Sequence, residues 1–230
     1  SVCSPRRVVS RAGATRSPPG LARAPEVEAQ FWHERWERGE IGFHMPRHHI
    51  ALDRHWSSLS LPPGARVFVP LAGKSLDLLW LAERGHAVVG IELSQLAVRE
   101  FFDEHPGASG VDLRCGDLFE LTPTTLGPID AIFDRASLVA LPPAMRADYA
   151  AHLTHLSPPG TQTLLVTMEY DQRQMRGPPH AVMPDEVHAL FGAHHDITEL
   201  DELTALEDFP RMSARGVTHL AERIYRLRRR

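Results

Sequence analysis

Short apolar runs of strand length alternate along this chain with segments of helical periodicity. The predicted strands cover residues 66–71, 87–91, 111–115, 129–133 and 162–168. The predicted helices between and after them cover 75–84, 94–104, 142–156 and 184–191. Strands that alternate with helices favour a parallel sheet with crossover helices on both of its faces.

Two further strand-like stretches, 196–206 and 217–227, follow the last of these helices without another helix between them. This spacing predicts an antiparallel hairpin at one edge of the sheet. The predicted fold class is therefore α/β: a doubly wound, seven-stranded, mostly parallel sheet closed by an antiparallel hairpin. A chain of 230 residues suits one such domain.

Polar residues follow several of the predicted strands at the point where each strand ends. They are Glu92, Asp117 and the pair Asp134-Arg135, and the first strand ends at a turn containing Gly73. Ligands of such sheets bind beyond the carboxyl ends of the strands, so these residues predict one site. Glu92 lies about 20 residues past the glycine turn, where a carboxylate accepts hydrogen bonds from ribose hydroxyls. The alternative is that Glu92 only caps the helix that begins near Ser94.

The glycine turn reads Gly73-Lys74-Ser75, the last three letters of a phosphate-binding loop. That loop needs a first glycine five residues before the second, and Phe68 stands there instead. The turn is therefore predicted to serve another purpose. Lys74 is the only lysine in the chain. Either it is a chance survivor of the bias toward arginine, or a compact ammonium fits where the planar guanidinium of arginine does not.

Composition excludes several classes of function. No apolar run approaches the ~20 residues of a membrane span, and a net charge of -4 gives no reason to expect nucleic acid. Cys3 and Cys115 have no metal-site spacing, which favours a reducing compartment, the cytoplasm, without a disulfide. The fourteen histidines include no H-E-x-x-H motif, so no metal site is expected. A monomer is the default expectation.

The first 25 residues differ from the rest of the chain. They are rich in arginine, serine, proline and glycine and contain no acidic residue. An organellar transit peptide, translated upstream sequence and a disordered tail all fit this composition. The predicted domain therefore covers 26–230. It opens with two helices: the first carries Trp32 and Trp36, and the second covers about 50–59.

Several motifs resemble the thiopurine S-methyltransferase family of S-adenosylmethionine-dependent enzymes. They are FWHERWERGEIGFH at 31–44, VFVPLAGKSLDLLWLAERGHAVVGIELS at 67–94, FDRASLVAL at 133–141, EYD followed by GPP, and LFG. The resemblance covers residues 31–227. It implies a Rossmann-like methyltransferase fold, S-adenosyl-L-methionine as cofactor, and a small thiol or thiopurine as substrate.

Nine residues take a site role by this resemblance. It implies that the segment 32–43 covers the cofactor, and that two arginines near the substrate favour the thiolate form of the sulfur. Cofactor-binding roles fall on Trp32, Leu71, Glu92, Asp117, Leu118 and Arg135. Substrate-binding roles fall on Phe43, His44 and Arg211, and catalytic roles on Arg135 and Arg211.

Three departures from the family pattern leave the substrate open. Ala72 stands where cysteine is frequent, the stretch between Phe102 and Leu113 is short, and the proline at Pro184 is displaced by one position. Two alternatives therefore stand beside a thiol methyltransferase. One methylates halide, thiocyanate or reduced selenium or tellurium species, and the other is a non-catalytic module that only binds a ligand.

Overall fold

A computed structural model of the chain describes residues 26–230, with side chains from Ala29 onward. The interpretations of residues 1–25 lie outside this range. One seven-stranded sheet runs through the described residues, in the order β3-β2-β1-β4-β5-β7-β6. Its strands are β1 Arg66–Val69, β2 Ala87–Glu92, β3 Val111–Cys115, β4 Ala131–Arg135, β5 Gln162–Glu169, β6 His195–Thr204 and β7 Ala221–Arg229.

Eight α-helices accompany the sheet within residues 26–230. They are α1 Glu26–Glu37, α2 Ile50–His55, α3 Asp77–Glu83, α4 Gln95–Glu104, α5 Pro123–Leu126, α6 Pro143–Leu156, α7 Pro184–Phe191 and α8 Pro210–Ala214. None of the described helices has both the length and the apolar character to cross a membrane.

The sheet confirms the predicted fold class. Strands β1 to β5 pair in parallel, and β7 pairs antiparallel with both β5 and β6. The predicted hairpin exists, and its second strand lies inside the sheet while β6 forms the edge. The predicted start of β7 at Val217 was wrong, because the strand begins at Ala221 after the short helix α8.

Two local predictions around β1 were also wrong. The strand ends at Val69 rather than Leu71, because Pro70 has no N–H for the ladder and Leu71 adopts a positive φ of 43°. Helix α3 begins at Asp77 rather than at the predicted Ser75. The Ser75 hydroxyl instead donates to the Asp77 carboxylate and accepts from the Asp77 amide, at 2.7 and 3.2 Å.

Apolar side chains of the strands divide between the two faces of the sheet. Along β1, Phe68 enters a core with residues of α6, whereas Val67 and Val69 enter a core with α2 and α3. All three are at least 97% buried. This alternation follows from the period of two in a strand, and helices on both faces complete the doubly wound arrangement.

The indole of Trp56 links this second core to a histidine. Its Nε1–H donates to Nε2 of His86 at 2.9 Å, so the imidazole must be neutral, with its proton on Nδ1. Burial lowers the pKa of His86 below its ordinary 6.5, and the charge of Arg84 lowers it further. Because protonation would turn the acceptor into a second donor, this contact is predicted to weaken in acid.

Replacing His86 with glutamine tests this contact. The amide oxygen of glutamine can accept from Trp56 and does not titrate. When the pKa of a histidine is lower in the folded state than in the unfolded state, the folded state loses stability only at pH values below the unfolded-state pKa. Urea unfolding is therefore measured about one pH unit above and about one below 6.5. On acidification, the free energy of unfolding of wild type should fall by on the order of 1 kcal/mol more than that of His86→Gln. Equal losses would contradict the assignment.

Candidate active site

A cavity of about 1290 Å³ lies at the carboxyl ends of the central strands, beneath the segment that follows α1. Its volume exceeds that of an ordinary small-molecule pocket, roughly 300–1,000 Å³, and leaves room for two ligands side by side. All nine predicted site residues line it: Trp32, Phe43, His44, Leu71, Glu92, Asp117, Leu118, Arg135 and Arg211. The structure thus brings together residues that are up to 179 positions apart in the sequence, Trp32 and Arg211 (211 − 32).

The turns after β1 and β4 form the floor of this cavity. Leu71 has φ 43° and Ala136 has φ 66°, a region of backbone conformation that costs energy for residues other than glycine. Such conformations persist only where the surroundings enforce them, and they cluster at ligand sites. The Ser137 hydroxyl donates to the carbonyl of Pro70 at 2.8 Å and ties the two turns together.

Glu92 ends β2 and is 7% exposed. Its Oε2 accepts from the amide of Gly73 at 2.9 Å, and its Oε1 accepts from the amide of Ser94 at 2.8 Å. Burial raises the pKa of Glu92, while these N–H donors oppose the rise. Each carboxylate oxygen has two acceptor sites, so each keeps one for a ligand hydroxyl.

Glu92 makes the contact before α4 that the capping interpretation predicts, and its place in the cavity is compatible with a ligand role. It fixes the glycine turn and the start of α4, and it also lines the cavity. A carboxylate that is held by backbone donors and has remaining acceptor capacity fits the two hydroxyls of a ribose.

The side chain of Lys74 points toward α4. Its Nζ lies 3.0 Å from Oε2 of Glu100 and 2.6 Å from Oε1 of Glu104. Burial lowers the pKa of Lys74, but the hydrogen bonds and charges of both glutamates outweigh it and raise the pKa overall. The amides of Ala72 and Gly73 bond to β2, to the carbonyl of Ile91 and to Glu92. This turn therefore holds two elements together and does not wrap a phosphate.

Aromatic side chains form the wall of the cavity opposite the strand ends. The ring of Phe43 meets Trp32 and Trp36 edge to face, at centroid distances of 5.6 and 5.5 Å. Trp36 is 4% exposed, and a Cβ on Gly73, whose φ is 55°, would lie 3.3 Å from its ring. The glycine of the turn is thus required by its φ and by the close approach of this tryptophan.

Arg135 and Arg211 reach the cavity from different elements. Arg135 ends β4 and is half-buried. The preceding residue, Asp134, accepts from the hydroxyl of Tyr149 at 2.8 Å, and burial raises the pKa of Asp134 to about 6. These contacts fix the backbone from which Arg135 projects. Arg211 is exposed on α8, and its guanidinium lies where a Cβ on Gly42 would be.

Two segments, residues 39–47 and 207–212, line the mouth of the cavity. Arg211 packs over Gly42, and the Arg47 guanidinium lies 3.3 Å from Oδ1 of Asp208. Sequence reasoning included Trp36 only as part of the cover 32–43, without a role of its own, and missed Asp208. The spacing of Trp32 and Trp36 on one helix was the signal available for Trp36, and the sequence carried no signal for Asp208.

Asp117 and Leu118 follow β3 at the side of the cavity. The Asp117 carboxylate caps a 3₁₀ turn by accepting from the amide of Phe119 at 2.9 Å, and Leu118 is 2% exposed. An apolar side chain beside a capped turn fits the face and edge of a purine. Within residues 26–230 the structure contains no group of three metal-ligating side chains that could hold an ion.

Solved structures share this architecture. An N-methyltransferase from Burkholderia thailandensis, bound to 1,6-didemethyltoxoflavin and S-adenosylhomocysteine, aligns with a TM-score of 0.64 at 18% identity, over 94% of this chain and 93% of that one. A methyltransferase from Thiobacillus denitrificans with S-adenosylhomocysteine aligns with a TM-score of 0.61 at 17% identity, over 86% and 98%. The fold is that of S-adenosylmethionine-dependent methyltransferases.

Sequence comparison then narrows this class. The profile of the thiopurine S-methyltransferase family matches residues 27–230. A thiopurine S-methyltransferase of Pseudomonas fluorescens strain SBW25 is 48% identical over 87% of this chain and 99% of its own length. One from Azotobacter vinelandii is 45% identical over 89% of this chain and 100% of its own. The chain belongs to the thiopurine S-methyltransferase family, and its cofactor is S-adenosyl-L-methionine.

Family membership does not favour the two alternatives. A module that only binds its ligand and an enzyme for halide or reduced selenium or tellurium species find no support among these relatives. The predicted enzyme class and cofactor are confirmed.

Proposed function

We propose that this enzyme transfers the methyl group of S-adenosyl-L-methionine to the sulfur of a small thiol or thiopurine. The observation that carries the proposal is the convergence of Glu92 and Arg135 on one large cavity, at the ends of strands on either side of β1. The cofactor supplies a methyl group that its own sulfonium already activates. The protein must then orient the acceptor, exclude water and favour the thiolate.

The proposed cofactor position follows from the chemistry of the strand ends. The remaining acceptor sites of Glu92 take the ribose hydroxyls, and Asp117 and Leu118 lie along the adenine. The backbone at Leu71 and the guanidinium of Arg135 contact the methionine portion. Trp32, which is half-buried at the cavity wall, covers the cofactor from the other side.

The proposed acceptor position lies between the cover and the two arginines. Phe43 provides an aromatic face, and its ring is held by Trp32 and Trp36. Arg135 and Arg211 provide positive charge, which can lower the pKa of a thiol by ~1–3 units at close range. Holding the sulfur in line with the methyl group can contribute ~7–11 kcal/mol in favourable cases.

We further infer a monomer without nucleic-acid partners in a reducing compartment such as the cytoplasm. The edge strand β6 carries acidic residues and a bulge between Glu199 and Asp201, features that discourage pairing of edges. A net charge of -4 disfavours nucleic acid, and Cys115 is an exposed free thiol, as in proteins of reducing compartments.

A panel of acceptors tests the proposed activity. The purified protein is incubated with S-adenosyl-L-methionine labelled in its methyl group and, in turn, with 6-mercaptopurine, thiophenol, 2-mercaptoethanol, iodide and thiocyanate. The proposal expects label in the methylated products of the sulfur compounds, with the aromatic ones preferred because Phe43 offers a ring. Label transfer to iodide alone would contradict it.

Trp32 provides a signal for binding of the cofactor. If it covers the cofactor, adding S-adenosylhomocysteine should change the tryptophan fluorescence, and Trp32→Phe should lose most of that change. The variant should also bind about tenfold more weakly, the scale of one aromatic contact at roughly 1.4 kcal/mol. An unchanged affinity together with a lower melting temperature would instead make Trp32 a packing residue of the cover.

A further inference from the structure

Methylation of a neutral thiol releases a proton. Where that proton goes is the question here, and the answer rests on the proposed function. An acceptor sulfur loses its S–H proton as it gains the methyl group. A side chain of the cavity wall with a free lone pair can take it, unless the thiol ionises before it binds. The cavity wall therefore decides which thiols the enzyme can use.

Four carboxylates of the cavity wall are already engaged, and the other three, Glu40, Glu120 and Glu207, are exposed to solvent. Both oxygens of Glu92 accept backbone N–H groups, and Asp117 caps its turn. Asp77 accepts from the amide of His49 at 2.7 Å and from the hydroxyl of Ser75. Asp208 pairs with Arg47 at the rim. Hydrogen bonds and ion pairs to the ionised form of a carboxylate oppose its uptake of a proton.

His44 differs from these groups. It lines the cavity directly after Phe43, and its backbone amide donates to the carbonyl of Ile41 at 2.8 Å, which fixes its place in the cover. The side chain is half-buried. Within the described residues, neither ring nitrogen has a hydrogen-bond partner, and neither is sealed from the cavity and solvent.

Burial, together with two nearby positive charges, favours the neutral form of the His44 imidazole. Burial lowers its pKa below the ordinary 6.5, and so do the positive charges of Lys74 and Arg135, while Glu104 and Glu100 act in the opposite direction. Lys74 stands on the turn after β1 and Arg135 at the end of β4, so His44 lies close enough to both strand ends for their charges to act on it. A neutral imidazole offers a lone pair at physiological pH.

We propose that His44 is the general base, which accepts the proton of the bound thiol and returns it to solvent at the mouth of the cavity. The S–H bond breaks and an N–H bond forms on the imidazole, giving a thiolate and an imidazolium. The thiolate electron pair then forms the bond to the methyl group while the bond from that methyl to the sulfonium of the methyl donor breaks, so S-adenosylhomocysteine is the leaving group. The imidazolium loses its proton to water on the exposed side, and no further reactant is needed.

His44→Gln, compared across thiols of different acidity, separates proton transfer from binding. With 2-mercaptoethanol, which is mostly protonated at neutral pH, kcat/KM should fall by roughly 100-fold, the lower end of the range for general bases. With 2-nitro-5-thiobenzoate, which is already a thiolate, it should fall less than about threefold, because no proton remains to be removed. His48→Gln, on the same segment and bonded to Asp53, is the matched control and should behave as wild type.

A second readout does not depend on turnover. Thiophenol is bound in the presence of S-adenosylhomocysteine, which has no methyl group to transfer, and the absorbance of its thiolate is followed below the pKa of free thiophenol. Wild type and His48→Gln should show bound thiolate, and His44→Gln should show bound thiol. Equal losses of kcat/KM with both acceptors, or thiolate absorbance unchanged in His44→Gln, would overturn the proposal. If wild type methylates neither thiol, the proposed function itself fails.

Discussion

Glu92→Gln should weaken the binding of S-adenosylhomocysteine by about 10- to 150-fold. The carboxylate accepts two backbone N–H groups and, in the proposed complex, two ribose hydroxyls. An amide offers one oxygen and one NH₂ group, so one of the amides of Gly73 and Ser94 would face a donor. Hydrogen bonds to a charged group contribute about 1.5–3 kcal/mol, which corresponds to this range of affinity.

Isothermal titration calorimetry measures this effect, with thermal unfolding as a check on the fold. Asp103→Asn, an exposed acidic position on α4, is the matched control and should bind as wild type. If Glu92→Gln is folded and its affinity for S-adenosylhomocysteine is unchanged, Glu92 does not belong to the cofactor site. It would then serve only through its contacts to the glycine turn and α4. Tight, magnesium-dependent binding of ATP to wild type would revive the phosphate-loop interpretation of Gly73-Lys74-Ser75.

Arg135→Ala should lower kcat/KM for an aromatic thiol by about 10- to 150-fold, again the scale of a hydrogen bond to a charge. A positive charge near the sulfur favours the thiolate and lowers the pKa of the thiol. Its removal raises that pKa, so the rising limb of the pH profile of kcat/KM should move to higher pH. Arg135→Lys keeps the charge but loses the planar fork and should lose less activity.

Arg211→Ala provides the comparison within the same site. Its side chain is exposed on α8 and packs over Gly42, so water can replace it. The same upward shift should therefore be smaller, and the affinity for S-adenosylhomocysteine should not change. Superimposable pH profiles for wild type and both alanine variants would mean that neither arginine favours the thiolate.

The sheet could be predicted from the sequence because its signals are local. The run Val111–Cys115 and the helix Pro184–Phe191 have the predicted bounds, since each is delimited by turn residues or a proline. The gathering of Glu92 and Arg135 at one rim follows from the parallel topology, because parallel strands place their carboxyl ends at the same edge.

Contacts between distant segments could not be predicted in this way. Nothing local shows that Lys74 pairs with Glu100 and Glu104, or that Trp36 packs on Gly73. The pairing of Arg47 with Asp208 across the cavity mouth depends on how the cover and the segment before β7 are placed. These contacts are set by tertiary packing, and periodicity carries no information about them.

The position of the transferred methyl group tests the central claim most directly. The enzyme is incubated with 6-mercaptopurine and S-adenosyl-L-methionine carrying ¹³C in its methyl group, and the product is examined by carbon NMR. The thiopurine offers both sulfur and ring nitrogens, and the methyl carbon has a different chemical shift on each. Methyl transfer to sulfur, slower in both Arg135→Ala and Glu92→Gln than in wild type, is the predicted result. Methyl transfer to a ring nitrogen, or tight binding of the cofactor without transfer to any sulfur compound, would contradict the account.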